Sequence, residues 1–590
     1  MLAVESLTIQ ENIAKLEEIM RDAFHWSFTH ACSFDLGKFQ LVHYTRNRGK
    51  YAPTPLITPT HVIPATDSAT YLGLIMDRQL RWKEQVQRAV AKGTKAILAV
   101  SRLTRPSFGL PHRYVRQLYR SVVIPRMEYG LCVWYSPVVP NGNGRRKGSV
   151  GVLKQIQKVQ NVACRLITGA FKTTPIDALN YMANIPPIEL RLNQASFNSA
   201  ARLAALPPAH PLHKMVHRCM RMFPQHHRSV LHDMFAAFPE IANLETIDPT
   251  PLDTTWKAPF SYRIAANKED TEKELTMYAG RKCFFGDGSG YEGGIGAAAV
   301  VQREDGVYEK RQVHLGNTDE HTVFEAEIVG LILCLSIAAS IPRLRSVAFL
   351  IDNQAAIRAV ANPKPQPGQH LVRLFHDTLR DLMRKRRTFD LQIGWVPGHQ
   401  GVEGNEVVDE AAKEAAQGQF SELPTKLHIL HDLPSSVAAL KAGRKHAIAR
   451  SWASIWQESR AGQRIAAFDK TPPGRRTLRW YEDLHRGSCS IITQLRTGHI
   501  GLNAYLARFG AVDSPKCHTC GEPETVRHYL LTCRRFSKER DDLRHALHSS
   551  GRQKLDIKTL LGRPKNKHHL LKFVSATERF PRYDTSPPQD

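Results

Sequence analysis

The sequence predicts a multidomain α/β protein whose organising domain is a mixed five-stranded sheet carrying helices. Three observations predict it. Between residues 283 and 417, apolar runs and helical periods follow one another in the order β-β-β-α-β-α-β-α. Residues 82–205 show mainly helical spacing instead. The chain has 590 residues and 42% hydrophobic content, which suits roughly three or four folded domains.

Residues 283–287 form a short apolar run that ends in an acid and a Gly-rich turn. Residues 294–302 and 307–315 are two further runs, and tight turns join all three as antiparallel strands. Residues 322–341 have helical spacing with Gly330 as the sole interior glycine, so they read as a helix packed on that sheet. Residues 346–351 read as a buried strand that hands over to Asp352. Helices are expected at 353–361 and 370–387, a strand at 389–396, and a closing helix at 406–416 with Asp409 in its first turn.

Four acids stand out in these elements. Asp287 and Asp352 lie at or near strand ends, and Glu327 and Asp409 lie early in helices. Such positions let side chains from distant segments converge. Four converging carboxylates repel one another and call for cations, and hard oxygen donors suit Mg²⁺ or Mn²⁺. Two ions about 4 Å apart clamp a phosphate between an activated water and a leaving oxygen. Any one of these acids alone reads as a cap or a solvated charge. Glu325, two positions before Glu327, reads as a surface charge. His399, in a Gly-flanked loop, reads either as a loop residue without a role or as a proton carrier.

The four settings together resemble a type 1 ribonuclease H domain. Asp287 matches the family's DGS strand, and Thr322 with Glu327 matches its T-x-x-x-x-E helix. Asp352, Asn353, Gln354 and Ala356 match D-[SN]-Q-x-A. Gly398, His399, Gly401, Gly404, Asn405, Glu406 and Asp409 match G-H-x-G-x-x-G-N-E-x-x-D. The resemblance implies Mg²⁺-dependent cutting of the RNA strand of RNA–DNA hybrids, with 5′-phosphate and 3′-hydroxyl ends. It makes Asp287, Glu327, Asp352 and Asp409 the metal ligands, and it assigns His399 to assisting catalysis or product departure. Selectivity for RNA would rest on contacts to 2′-hydroxyls.

Charge supports a polyanionic partner. Lys and Arg number 81 against 55 Asp and Glu, a formal net charge of +26, and nucleic acid is the first candidate. The runs Arg145-Arg146-Lys147 and Arg384-Lys385-Arg386-Arg387 suit phosphates, although each alone reads as a solvated charge run. The N-terminal stretch contains acids and an amphipathic period and does not resemble a signal peptide. The longest apolar run, 328–341, is too short to span a bilayer and reads as a core helix. No membrane partner is expected. Ten scattered or clustered cysteines argue for a reducing compartment and against a disulfide framework. Residence inside the cell is therefore expected, with the nucleus inferred from nucleic-acid partners.

The region before the sheet resembles the end of the reverse-transcriptase region in non-LTR, LINE-type retrotransposon polyproteins, fungal ones especially. The matching phrases are F-D-x-x-K-x-x-x-x-H-Y (Phe34, Lys38, His43, Tyr44), YLG with its following Asp and Leu at 71–80, and PRMEYGLCVW at 125–134. IQKVQNVACRLITGAFKTTP at 156–175 and PPIELRL at 186–192 continue them. No Asp-Asp turn of a polymerase palm occurs before residue 270, since the sole pair is Asp541-Asp542. The resemblance thus starts after the palm, and no polymerase activity is expected.

Near the C-terminus the sequence reads CHTCGEPETVRHYLLTC. Cys517 and Cys520 form a C-x₂-C knuckle, and His528 and Cys533 follow. Three thiolates and an imidazole suit a closed, structural, tetrahedral Zn²⁺. His518 lies inside the knuckle, where ligand geometry is poor. This segment, with LRTGHIGLNAYLARFG at 495–510, resembles the C-terminal zinc region of the same polyproteins.

The expected plan is a mainly helical post-palm remnant at 1–205, a linker at 206–278 and a ribonuclease H domain at 279–418. A basic helical region at 419–510, a CCHC zinc module at 511–540 and a helical tail at 541–590 follow. The rival expectation is a nucleic-acid-binding remnant without turnover. A cluster of negative charge facing a polyanion argues against it.

Overall fold

The computed structural model describes residues 1–583 apart from 46–48, 50, 223, 225–227, 250–255, 265–275 and 399–400. It divides into two units, Leu192–Ser451 and a discontinuous one made of Met1–Arg191 and Trp452–Asp590.

In Leu192–Ser451 the central sheet is built from β1 (Ser261–Arg263), β2 (Lys282–Tyr291), β3 (Gly294–Gln302), β4 (Tyr308–Asn317), β5 (Ser346–Ile351) and β6 (Asp390–Trp395). The strand order is 4-3-2-5-6-1. The pairs β2–β3 and β3–β4 are antiparallel, whereas β5 pairs parallel with β2 and β6, and β6 pairs parallel with β1. The sheet is therefore mixed, as expected, but has six strands where the sequence predicts five. The sixth, β1, is three residues long and wholly exposed, too short to show a period of two.

The helices are α1 (Val323–Ser340), α2 (Gln354–Ala361), α3 (Gln369–Lys385) and α4 (Glu403–Ala416). Alternation along β3 separates two cores. Ala297, Ala299 and Val301 join Ile328, Leu331, Ile332 and Leu335 of α1. Ala298 and Val300 join Val408, Ala411 and Ala412 of α4. Helix α1 is long and apolar enough to cross a membrane, but most of it is buried inside the protein. Its apolar character on all sides follows from packing on both the sheet and α3.

One buried acid joins three segments of this unit. Glu245 is fully buried. Its Oε2 accepts from the amide of Gly368 at 2.7 Å, and its Oε1 accepts from the amide of Val437 at 2.8 Å and from Ser436 Oγ at 3.3 Å. It thereby satisfies the start of α3 and of the helix Val437–Glu458. Glu245→Ala leaves these donors buried and unpaired. It should lower the stability of the full chain by about 3–5 kcal/mol, read from chemical unfolding; a change below about 1 kcal/mol would contradict this role.

The other unit is mostly helical, with three short hairpins. Its two sequence-distant parts share one core. Tyr181 stacks on Trp456 at 4.2 Å, and His112 stacks on Tyr481 at 3.9 Å. The buried Arg486 donates to the carbonyls of Arg105, Leu166 and Ile167, so backbone dipoles rather than a carboxylate solvate it.

Candidate active site and candidate metal centre

The acids converge because of how glycine shapes β2. Parity along this strand puts Phe284, Gly286 and Gly288 on the α1 face, and Phe285 and Asp287 on the α4 face. A Cβ on Gly288 would collide with the backbone N of Glu327, and one on Gly286 would lie 3.1 Å from the carbonyl carbon of Gly330. These glycines let α1 lie directly on the strand, which sets Glu327 beside Asp287. Gly288→Ala should therefore cost about 1–3 kcal/mol of stability through overpacking. It should also displace Glu327, so that a wild-type melting temperature would contradict the close approach.

Asp287 sits in the middle of the ten-residue β2 rather than at a strand end. Asp352 follows the last residue of β5, where Trp395 Nε1 donates to its carbonyl at 2.8 Å. Gly398 makes room for its carboxylate, since a Cβ there would lie 2.8 Å from Asp352 Oδ2. Asn353 caps α2 through Oδ1, which accepts from the amides of Ala355 and Ala356. Its Nδ2 donates to Glu327 Oε1 at 3.3 Å. One side chain thus ties a helix start to the orientation of Glu327.

One carboxylate oxygen from each of Asp287, Glu327 and Asp352 lies within 4.8 Å of the others. Asp287 is 8% exposed and Glu327 is 3% exposed. Burial, then the charges of Asp352 and Asp409, push Asp287 up to about 7. Burial, then Asp287 and Asp352, hold Glu327 well above the usual carboxylate range. Glu327 Oε2 is buried without a hydrogen-bond partner. Three converging carboxylates with an unpartnered oxygen call for an opposing charge, and the all-carboxylate donor set fits a hard divalent ion.

Asp409 is not part of that close triad. It lies in the second turn of α4 rather than the first, because the helix begins at Glu403. Lys413 Nζ donates to its Oδ2 at 2.7 Å, an i,i+4 pair that the sequence analysis passed over. Its charge still reaches Asp287. His399 lies outside the described residues.

Glu325 corrects the expectation of a surface charge. It is fully buried. Its Oε2 accepts from the amide of Thr322 at 2.8 Å and from Thr322 Oγ1 at 2.9 Å, closing a capping box on α1. The pattern Thr322-x-x-Glu325 carried that signal, but the neighbouring T-x-x-x-x-E obscured it.

The second cluster is in the other unit. Ligand atoms of Cys517, Cys520, His528 and Cys533 all lie within 4.8 Å of one another. Cys533 Sγ is 3.8 Å from both Cys517 Sγ and Cys520 Sγ, and all ten cysteines are free thiols. His528 Nδ1 lies 3.4 Å from Thr532 Oγ1, while its buried Nε2 has no hydrogen-bond partner. The Arg534 amide donates to Cys520 Sγ at 3.2 Å. His518 is exposed and apart from the cluster. Three sulfurs and an unpartnered imidazole nitrogen fit tetrahedral zinc.

Comparison with known proteins gives the following. Residues 280–417 match the RNase H family model. Similar solved structures include RNase H1 from the halophilic archaeon Halobacterium salinarum NRC-1, 22% identical over 24% of this chain and 100% of that one, with a TM-score of 0.19. LC11-RNase H1 in complex with an RNA/DNA hybrid is 18% identical over 23% of this chain and 97% of that one, TM-score 0.19. The PFV RNase H domain is 20% identical over 23% and 94%, TM-score 0.19. No curated protein matches. The family match spans β2 to α4 and carries all four acids, so residues 280–417 form an RNase H domain.

Proposed function

We propose that this chain is a divalent-metal-dependent endonuclease that hydrolyses the RNA strand of RNA–DNA hybrids. The observation that carries this reading is the close triad of Asp287, Glu327 and Asp352, with a buried, unpartnered oxygen on Glu327. Asp287, Glu327 and Asp352 would hold Mg²⁺ or Mn²⁺, with Asp409 completing the site for a pair of ions. Bound ions supply charge neutralisation at the scissile phosphate and a more acidic water. The protein's own part is to hold the carboxylates in a dry, fixed array through the β2 glycines and Asn353. His399 is assigned to proton transfer or product departure on its motif alone.

The chain is also read as deriving from a LINE-type retroelement, in which the region before the RNase H domain is a post-palm remnant. Cys517, Cys520, His528 and Cys533 would hold one structural Zn²⁺. The partner is nucleic acid, chiefly RNA–DNA hybrid, encountered inside the cell. A hybrid labelled in turn on each strand tests the nuclease reading: the RNA strand is cut, the DNA strand stays whole and chelator stops the reaction. Tight, salt-sensitive binding without cutting would instead establish the non-catalytic binder.

A further inference from the structure

A second binding feature lies along α3, in a cleft of about 620 Å³. One wall is the stripe Arg373, His376, Arg380 and Arg384 of α3. The others are the segment with Trp256 and Lys257 and the proline-bounded turn around Lys364. Among the described residues, five that line the cleft are Lys or Arg, and Asp377 is the only lining acid. Arg373, itself exposed, pairs with the half-buried Asp248 at 2.9 Å, and Arg380 pairs with Asp377 at 2.9 Å with both side chains exposed. Exposed pairs of this kind are weak and yield to a phosphate.

The cleft also has an aromatic side. Trp256 meets His376 edge to face at 5.3 Å, and Phe260 stacks on the same imidazole at 6.1 Å. His376 Nε2 lies 2.8 Å from the carbonyl of Val360, which fixes the ring. From Arg373 to Arg384 the stripe runs roughly 16 Å along the helix. That matches about five phosphate spacings of a stacked strand at ~3.4 Å each. The turn around Lys364 is separated from Asp352 by the eight residues of α2, roughly 12 Å of helix.

We propose that this cleft binds a single-stranded nucleic-acid segment, with Trp256 stacking a base and Lys257, Lys364, Arg373, Arg380 and Arg384 meeting its phosphates. A strand leaving the acid triad along α2 would enter it directly. Trp256 and Lys257 precede the RNase H match, so the chain's own extension completes the cleft. Aromatic stacking beside a basic groove is the chemistry that holds single strands without regard to sequence.

The test uses the full chain in Mg²⁺-free buffer without chelator, so that nothing is cut. Fluorescence anisotropy compares a blunt RNA–DNA hybrid with one bearing a single-stranded tail of about six nucleotides, made as DNA or as RNA. The tail should tighten binding about tenfold. Lys364→Glu with Arg384→Glu should remove that gain and leave blunt affinity unchanged. Trp256→Ala, which keeps the charge, should remove about fivefold or more of it. Lys154→Glu with Lys158→Glu, an equal charge change on an exposed helix face of the other unit, should not remove it. A tail that adds nothing, or an equal loss in both charge-reversed proteins, overturns the proposal. With Mg²⁺ added afterwards, cleavage of blunt hybrid without any tail effect sinks the cleft alone, whereas a tail effect in a chain that never cuts sinks the nuclease reading alone.

Discussion

Asp287→Asn should raise the melting temperature of the metal-free protein and remove roughly 10³-fold or more of the proposed hybrid-cleaving activity. Both effects have one source. Asp287 is buried beside Asp352 and within reach of Asp409, and its pKa is pushed from 3.8 to about 7. The native state therefore binds a proton more tightly than the unfolded chain does. The stabilising contribution of this group is full below about pH 3.8 and is lost as pH rises through about 7. The loss is on the order of 4 kcal/mol. Asparagine removes the charge and also relieves Glu327, which feels Asp287 directly. The parent in Mg²⁺-free buffer should thus melt at a lower temperature at pH 8 than at pH 5.5, with Asp287→Asn flattening the difference. Mg²⁺ should flatten it as well, by supplying the opposing charge. A variant that melts below the parent in Mg²⁺-free buffer at pH 8 would contradict this, since it would mean that the acid contributes a net stabilising contact.

Cys517→Ser with Cys533→Ser should remove one equivalent of zinc and the cooperative unfolding of the C-terminal part of its unit. Cys517 and Cys533 are buried in one cluster with Tyr529, Leu530, Phe536, Leu543 and Leu560. Arg540 donates to the carbonyls of Leu530 at 3.2 Å and Cys533 at 2.6 Å. The helices Ser537–Ser549 and Lys567–Ala576 pack on the same core. A structural zinc in such a place supplies folding free energy outright, on the order of 10 kcal/mol in isolated fingers. Metal analysis of the purified full chain, beside thermal melts with and without chelator, reads both effects. Unchanged zinc content, or identical melts, would defeat the assignment.

Much of the RNase H domain was legible because its strands form clear apolar runs, three of its helices are strongly periodic and α1 is one long apolar stretch. All five expected strands and the four helices are found, with shifted ends. The triad was legible through its settings: acids beside small residues where strand and helix meet. What escaped was what depends on contacts distant in sequence. Glu245 looks like any isolated acid in an irregular stretch, and only the fold brings Gly368 and Val437 to it. The shared core of Met1–Arg191 and Trp452–Asp590 rests on pairs such as Tyr181–Trp456, which no local pattern announces. Arg384 was visible within its basic run, but Trp256, which lines the same cleft, was not. Glu325 was misread because helical spacing tells which residues share a face and not whether that face is buried.

The most direct measurement is single-turnover cleavage of a labelled RNA–DNA hybrid by the purified full chain in Mg²⁺, beside Asp352→Asn and beside the parent in chelator. Cutting of the RNA strand by the parent in Mg²⁺ alone is the expected result, and it would establish the enzyme and its carboxylate metal site together. Equal cutting by Asp352→Asn, or no cutting by a parent that binds the hybrid, would contradict the assignment of Asp287, Glu327 and Asp352 as the catalytic centre.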